Sequence, residues 1–338
     1  MESVLSKTKN YYRCIGSVYE NALKREDCDI KLRDKDGNDA GKTKGERVMG
    51  TVSVRTPNGI HTFSVYFQNL TSKGEENKQW KMACDMLEWN PEVNGNGNPP
   101  TEVNIEGTVG INDYYNPNTK KVSSGLRWRV GRGNTKVNDE KGCSLNAVGI
   151  IYAIKPEIRN EEETGRLLVT IYGAESNGTC FPIDAIVDKE MAKDFTDAFE
   201  VGQTVNFDFD LVSRHIGAKP TSKKAFGKAG SVTVNSGFDI DELMIVGADD
   251  PIEEPEEKFV EDEEGKMVEV KTDWIDPKTM KAAIKVRQQM LDELEKNPPA
   301  PKKAAKSDSF GEKKARAMAA TKKRDVDMDF GMDDDDLF

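Results

Sequence analysis

Val205-Asn206-Phe207-Asp208-Phe209-Asp210-Leu211 alternates apolar with polar residues from end to end, the period-two pattern of a strand with one buried and one wet face. Val205, Phe207, Phe209 and Leu211 then point inward, and Asn206, Asp208 and Asp210 point out. Val103-Asn104-Ile105-Glu106 shows the same alternation earlier in the chain. Working outward from these two strands, the same neighbours recur in the same order, as an internal repeat requires. Ile15-Gly16-Ser17-Val18-Tyr19 answers to Val148-Gly149-Ile150-Ile151-Tyr152, each a short strand with a glycine where it must bend. Asn58-Gly59 follows VMGTVSVRTP and Asn177-Gly178 follows RLLVTIYGAES, two hairpin signals between β-rich runs. Helix-like stretches come next, KQWKMACDMLE at 78–88 and KEMAKDFTDAFE at 189–200. Ser124-Gly125-Leu126 and Ser236-Gly237-Phe238 open a last strand in each half.

Strand, strand, hairpin strand, helix, strand, strand is the order of a small five-stranded barrel with its helix between the third and fourth strands. It resembles the oligonucleotide/oligosaccharide-binding (OB) fold, present twice. The expected class is mainly β: two tandem OB-like five-stranded barrels followed by a helix and a disordered acidic tail. The expected boundaries are 1–141 and 142–248 for the barrels, 249–275 for an acidic linker, 276–297 for an amphipathic helix and 298–338 for a basic-then-acidic tail. The helix opens at Asp276-Pro277, an N-cap acid with a first-turn proline, and sets Met280, Ile284, Leu291 and Leu294 on one face.

Length and composition agree. At roughly 150 residues per domain, 338 residues suit two domains with a non-globular remainder. No apolar run reaches the roughly 18 residues of a spanning helix, and the N-terminus lacks a charged-then-apolar leader, so a cytoplasmic protein without a membrane partner is expected. Five scattered cysteines and two histidines disfavour both a disulfide scaffold and a zinc site. The net charge of −11 is unevenly placed: residues 1–248 carry 32 basic and 35 acidic side chains, residues 249–338 carry 17 and 25. Most of the acidity is therefore in the tail.

Cations gather in the connections between fourth and fifth strands. Residues 112–136 hold Lys120, Lys121, Arg127, Arg129, Arg132 and Lys136 against Asp113 alone, and 213–238 holds Arg214, Lys219, Lys223, Lys224 and Lys228. The connections between first and second strands, 20–46 and 155–165, are balanced or acidic. A phosphate chain suits such patches, because cations that contact it release condensed counterions. Aromatic rings lie among the charges: Tyr114, Tyr115, Phe226, and Tyr66, which falls outside the inward set Phe63, Val65 and Phe67. Single-stranded bases stack on such rings without sequence preference. Alternation puts Leu126, Trp128 and Val130 on one face and Arg127 and Arg129 on the other, which sends Trp128 to the core if the arginines line the groove. Tyr172 is ambiguous.

Other signals fail. Gly37 to Thr43 has three residues between its glycines where a phosphate-binding loop needs four, and a strand-like stretch follows. Asp34, Asp36 and Asn38 imitate a calcium loop but lack its glycine and closing glutamate. His61 and His215 read as surface residues, with His215 placed to stack on a base. No catalytic constellation, cofactor or metal is expected.

The stretch after the helix is blocked by charge. Residues 299–324 carry nine Lys/Arg against two acids, and 325–338 carry seven Asp and no cation, ending Asp333-Asp334-Asp335-Asp336-Leu337-Phe338. Such blocks repel themselves and serve as interaction segments. A carboxylate run with a ring fits a pocket with an apolar floor and a basic rim, and can also fold back on the chain's own basic loops. In architecture and tip the chain resembles bacteriophage-type single-stranded DNA-binding proteins. The resemblance implies a non-enzymatic protein that coats single-stranded DNA in replication, recombination and repair. It also implies that Asp333, Asp334, Asp335, Asp336, Leu337 and Phe338 recruit polymerase, helicase or primase. Leu337 stands where bacterial members often have proline, and two barrels stand where they commonly have one per subunit. The alternative is an accessory mediator of helicase loading or recombination whose barrels bind protein and whose helix docks the partner.

Overall fold

The computed structural model describes residues 5–35, 37–137, 139–159, 161–175, 178–216, 238–254, 259–261, 267–269 and 273–298; side chains are described for all of these but 214–216, 238–240, 259–261 and 267–269. The first half contains β1 (Asn10–Asn21), β2 (Lys24–Arg33), β3 (Asp39–Thr56), β4 (Gly59–Gln68), α1 (Trp80–Asp85), β5 (Glu102–Asn116) and β6 (Lys121–Asn134). β1 pairs antiparallel with β3, β3 with β4, β4 parallel with β6, β6 antiparallel with β5, and β5 with β1 again. That ring closes a barrel. The second half repeats it with β7 (Gly142–Arg159), β8 (Glu162–Ala174), β9 (Cys180–Val187), α2 (Ala192–Ala198), β10 (Thr204–Ile216) and β11 (Phe238–Ala248). After a short hairpin of β12 (Phe259–Glu261) and β13 (Met267–Glu269) comes helix α3 (Pro277–Lys296). The protein is mainly β, two tandem OB-like barrels followed by a helix.

The alternation that suggested the strands is what fills the barrels. Val205, Phe207 and Phe209 are fully buried and Leu211 nearly so, with the Phe207 and Phe209 rings 5.9 Å apart. Gly16 and Gly149 occupy equivalent crossings. A Cβ on Gly16 would sit 2.1 Å from the Arg55 carbonyl oxygen, and one on Gly149 would sit 2.4 Å from Ile171 Cγ2. Irregularities coincide as well: Tyr19 and Tyr152 are each skipped by the ladder to the second strand, and Gly131 and Val246 by the ladder between fourth and fifth strands. Bulges are position-specific features, so their match strengthens the repeat. One correspondence from the sequence shifts. Gly107 pairs with Val130 as Phe209 pairs with Ile245, so Leu126 matches Asp241, three residues beyond Phe238.

The two barrels join through their first strands. β1 and β7 pair antiparallel with Tyr12 opposite Leu145, which are themselves equivalent residues of the repeat, so a pseudo-twofold axis passes between them. The flanking contacts obey the same symmetry. Ser213 N donates to the Asn58 carbonyl at 2.7 Å, and its counterpart Ile111 N donates to Glu175 Oε1 at 3.0 Å. Each barrel thus plants its second hairpin turn on the other's fourth strand. Gly59 makes this approach possible with φ +128, since a Cβ there would lie 2.5 Å from Ser213 Cβ. One continuous cluster of buried apolar residues spans both barrels.

Residues 20–46 form a ribbon rather than a loop. β2 continues β1 along the same edge of β3, with Asn21 opposite Val52 and Lys24 opposite Met49. Its charges close on each other across the ladder: Arg25 to Glu46 at 2.6 Å, Lys44 to Asp29 at 2.7 Å, and Arg47 to Glu26. A charged edge of this kind resists pairing with other chains. The stretch from Gly37 to Thr43 belongs to the ribbon's turn and outgoing strand, where Asn38 N donates to Asp34 Oδ1.

One further placement departs from the sequence reading. His61 is buried rather than superficial, its Nε2 3.1 Å from Thr56 Oγ1, because it points inward from the start of β4 at the barrel's end. The acidic stretch after β11 is pinned at both ends, by Asp249 and Ile252 to β10 and by Ile275 to Thr204. Helix α3 then begins as expected: Asp276 accepts from Lys278 N and Thr279 N, and Met280 packs with Ile150, Cys180 and Ile275. The N-terminal part of its apolar face, Met280 and Ile284, is therefore seated on the second barrel. Among the described residues no helix is long and apolar enough to cross a membrane.

Candidate nucleic-acid interface

Barrels of this kind present ligands on the outer surface of their second and third strands, here β3 and β4, flanked by the connection between fourth and fifth strands. Alternation along β4 buries Phe63, Val65 and Phe67 and turns Thr62, Ser64 and Tyr66 outward, leaving Tyr66 47% exposed. β6 lies alongside with Arg129 paired to Ser64, so Arg127 and Arg129 share that outer surface. Trp128 between them points into the core, its ring 5.2 Å from Tyr12 and 6.5 Å from Phe63.

The surface continues beyond the barrel because β5 and β6 run on as a hairpin, paired as far as Asn116 and Lys121. Lys121, Ser123, Gly125, Arg127 and Arg129 share one face by alternation. Tyr114 lies opposite Ser123 on that face, 49% exposed. At the tip Lys120 adopts φ +56 and its N–H donates to the Asn116 carbonyl at 2.8 Å. Tyr66, Arg129, Arg127, Tyr114 and Lys121 thus form one row, with Lys120 at its end. Two expected residues leave it. Tyr115 alternates to the reverse face with Asp113 and is half-buried, and Arg132, past the Gly131 bulge, stands opposite Glu106 beside Tyr11. Burial and a hydrogen bond to Glu106 push the Tyr11 phenol up to about 12, so that ring stays neutral.

Charge compensation separates this row from the ribbon. Among the described residues Lys120, Lys121 and Arg127 make no ion pair, and Arg129 meets only Glu175 Oε1 at 3.5 Å. Neighbouring acids already neutralise Arg25, Lys44 and Arg47 on the ribbon. An uncompensated cation keeps its counterions to release on contact with phosphate; a paired one does not.

The second barrel does not reproduce the row. By its pairings Met244 stands where the first barrel has Arg129 and Glu242 where it has Arg127, while Ile186 and Asp188 replace Ser64 and Tyr66. Glu242 is buried in a network with Arg159, Arg166 and Glu157 that ties three strands together. Burial opposes its ionisation, but hydrogen bonds from Arg159 and Arg166 prevail and hold its carboxyl below the usual range. The remaining expected residues of this barrel are Arg214, whose backbone alone is described on β10, and Lys219, Lys223, Lys224, Phe226 and Lys228, which lie outside the described residues. Asp333 to Phe338 lie outside them as well. Sequence reasoning passed over Thr62 and Ser64, which the alternation around Tyr66 could have found, and Glu175, for which no local signal exists. No group of three or more His, Cys, Asp or Glu among the described residues could hold a metal ion.

Residues 24–297, from the ribbon through α3, match the profile of the YorF family. The chain belongs to the YorF family. No curated protein matches this YorF chain. Its fold is similar to that of the wild-type single-stranded DNA binding protein of Thermus aquaticus, at 12% identity and TM-score 0.39 over 75% of this chain and 98% of that one. It is also similar to a deletion mutant of the same protein, at 10% identity and TM-score 0.38 over 75% and 99%.

Proposed function

We propose that this YorF-family chain binds single-stranded DNA without sequence preference, through the outer surface of its first barrel and the β5–β6 hairpin. The observation that carries the reading is the row of Tyr66, Arg129, Arg127, Tyr114 and Lys121, in which rings and largely uncompensated cations share one exposed face. Rings stack on bases and cations take phosphates, so affinity is expected to be salt-sensitive and tolerant of sequence. Within this reading the barrels divide at 1–141 and 142–248, the protein acts in cytoplasmic DNA replication, recombination and repair, and no step of chemistry is assigned to it. The basic residues from Lys219 to Lys228 extend the surface, and Asp333 to Phe338 recruit replication and recombination enzymes. A mediator that docks its partner through the helix is less well supported, because Met280 and Ile284 already face the second barrel.

Titration with a fluorescent thymidine oligomer at two salt concentrations tests the reading. Binding that steepens with length and weakens with salt supports it, and indifference to both salt and length refutes it.

A further inference from the structure

The reverse face of the β5–β6 hairpin is not free. Alternation turns Asp113 and Ser124 away from the row of Arg127, Tyr114 and Lys121, and helix α3 meets them there. Arg287 donates to Asp113 Oδ1 at 2.7 Å and lies 3.4 Å from Ser124 Oγ. The pair is sheltered, with side chains 11% and 21% exposed, and it bridges the two strands of the hairpin beyond the point where the barrel supports them. The same helix is fixed at its other end by Met280 against Ile150 and Cys180 and by the Asp276 cap. Asp113 is also the sole carboxylate among residues 112–136, so the contact takes up the one anion in a basic element.

We propose that α3 is a brace for the nucleic-acid hairpin, with Arg287 as a positioning residue that fixes the hairpin to the second barrel and touches no DNA. This rests on the proposed binding role of the hairpin's opposite face. A free two-stranded ribbon sways, and a ligand that must order it loses affinity. The brace removes that loss in advance. It also gives the second barrel a role in binding although its own equivalent surface carries Glu242 and Met244: it supplies the platform on which the helix rests.

The test uses the full chain and three variants, Arg287→Ala, Arg287→Lys and Asp113→Asn, read by thymidine-oligomer affinity and by amide hydrogen exchange of residues 111–125. Arg287→Ala and Asp113→Asn are both expected to speed exchange in the hairpin and to weaken binding three- to tenfold, with Arg287→Lys recovering part of each. Asp113→Asn is decisive because it removes an anion. If the pair matters only through local charge, Asp113→Asn tightens binding while Arg287→Ala weakens it, and the brace is refuted. Unchanged exchange in both variants refutes it equally. Exchange is read without DNA, so if the wild-type chain binds no oligomer the binding role fails while the exchange arm still decides whether α3 orders the hairpin. Asp113→Asn leaves the helix intact, so it keeps the test open if the Arg287 variants fold poorly.

Discussion

Arg127 and Glu242 occupy the same position in the two barrels, one standing opposite Gly110 on an exposed face and the other opposite Val212 inside a buried ion-pair network. On the proposed reading, one fold uses a single site for recognition in its first copy and for cohesion in its second. Arg127→Ala with Arg129→Ala is expected to weaken oligomer binding on the order of tenfold at low salt. It should reduce the salt slope by about 0.7 for each lost phosphate contact. Glu242→Gln is expected to leave the slope unchanged and to cost about 3 kcal/mol of stability, because Arg159 and Arg166 lose one of the two carboxylates they share, Glu157 alone remaining. Parallel titrations and denaturant melts check both.

Aromatic roles divide just as sharply. Tyr66→Ala removes an exposed ring and should cost about 1–3 kcal/mol of binding if one base stacks there. Trp128 packs on Tyr12 and Phe63 and is not available for stacking. Binding should therefore quench tyrosine emission more than that of Trp128, which single-tryptophan variants can resolve.

Much of this was legible in the sequence, and the reasons for the rest are physical. The barrels showed because core strands such as Val205 to Leu211 alternate cleanly, and because Gly16 and Gly149 mark crossings that tolerate no side chain. The ribbon was hidden because charges on both faces of Lys24 to Arg33 erase the period of two. Tyr114 and Tyr115 are neighbours on a strand and so face opposite ways, which their shared residue type conceals. The different fates of Arg127 and Glu242 depend on pairings between distant strands and on a repeat register three residues from the one that local similarity suggests.

His61 supplies a pH dependence. Burial lowers its affinity for a proton, and the charge of Asp241 opposes this only in part, so the imidazole stays below its usual 6.5. The unfolded chain binds a proton as pH falls through 6.5 while the folded chain does not, so stability declines below that pH and levels off once the lower folded value is passed. His61→Asn should flatten the melting-temperature profile between about pH 6.5 and 5. An unchanged profile would assign the decline to other groups.

Gly59 tests the contact between barrels. Its φ of +128 and the 2.5 Å approach to Ser213 leave no room for a side chain. Gly59→Ala should cost more than about 1 kcal/mol and speed amide exchange at Ser213, whose N–H is bonded to Asn58. Normal protection at Ser213 in the variant would show that the turn adapts.

The ladder between β1 and β7 has a mechanical consequence. Paired Tyr12 and Leu145 lie inside a continuous core, so neither half can be peeled away without unmaking the other. Stretched between its first and last strands in an optical trap, the molecule should give way in one rip, where two independent beads on a string would give two. A strand of DNA would then meet a single stiff body of fixed shape, and coverage along it should advance in whole-molecule steps.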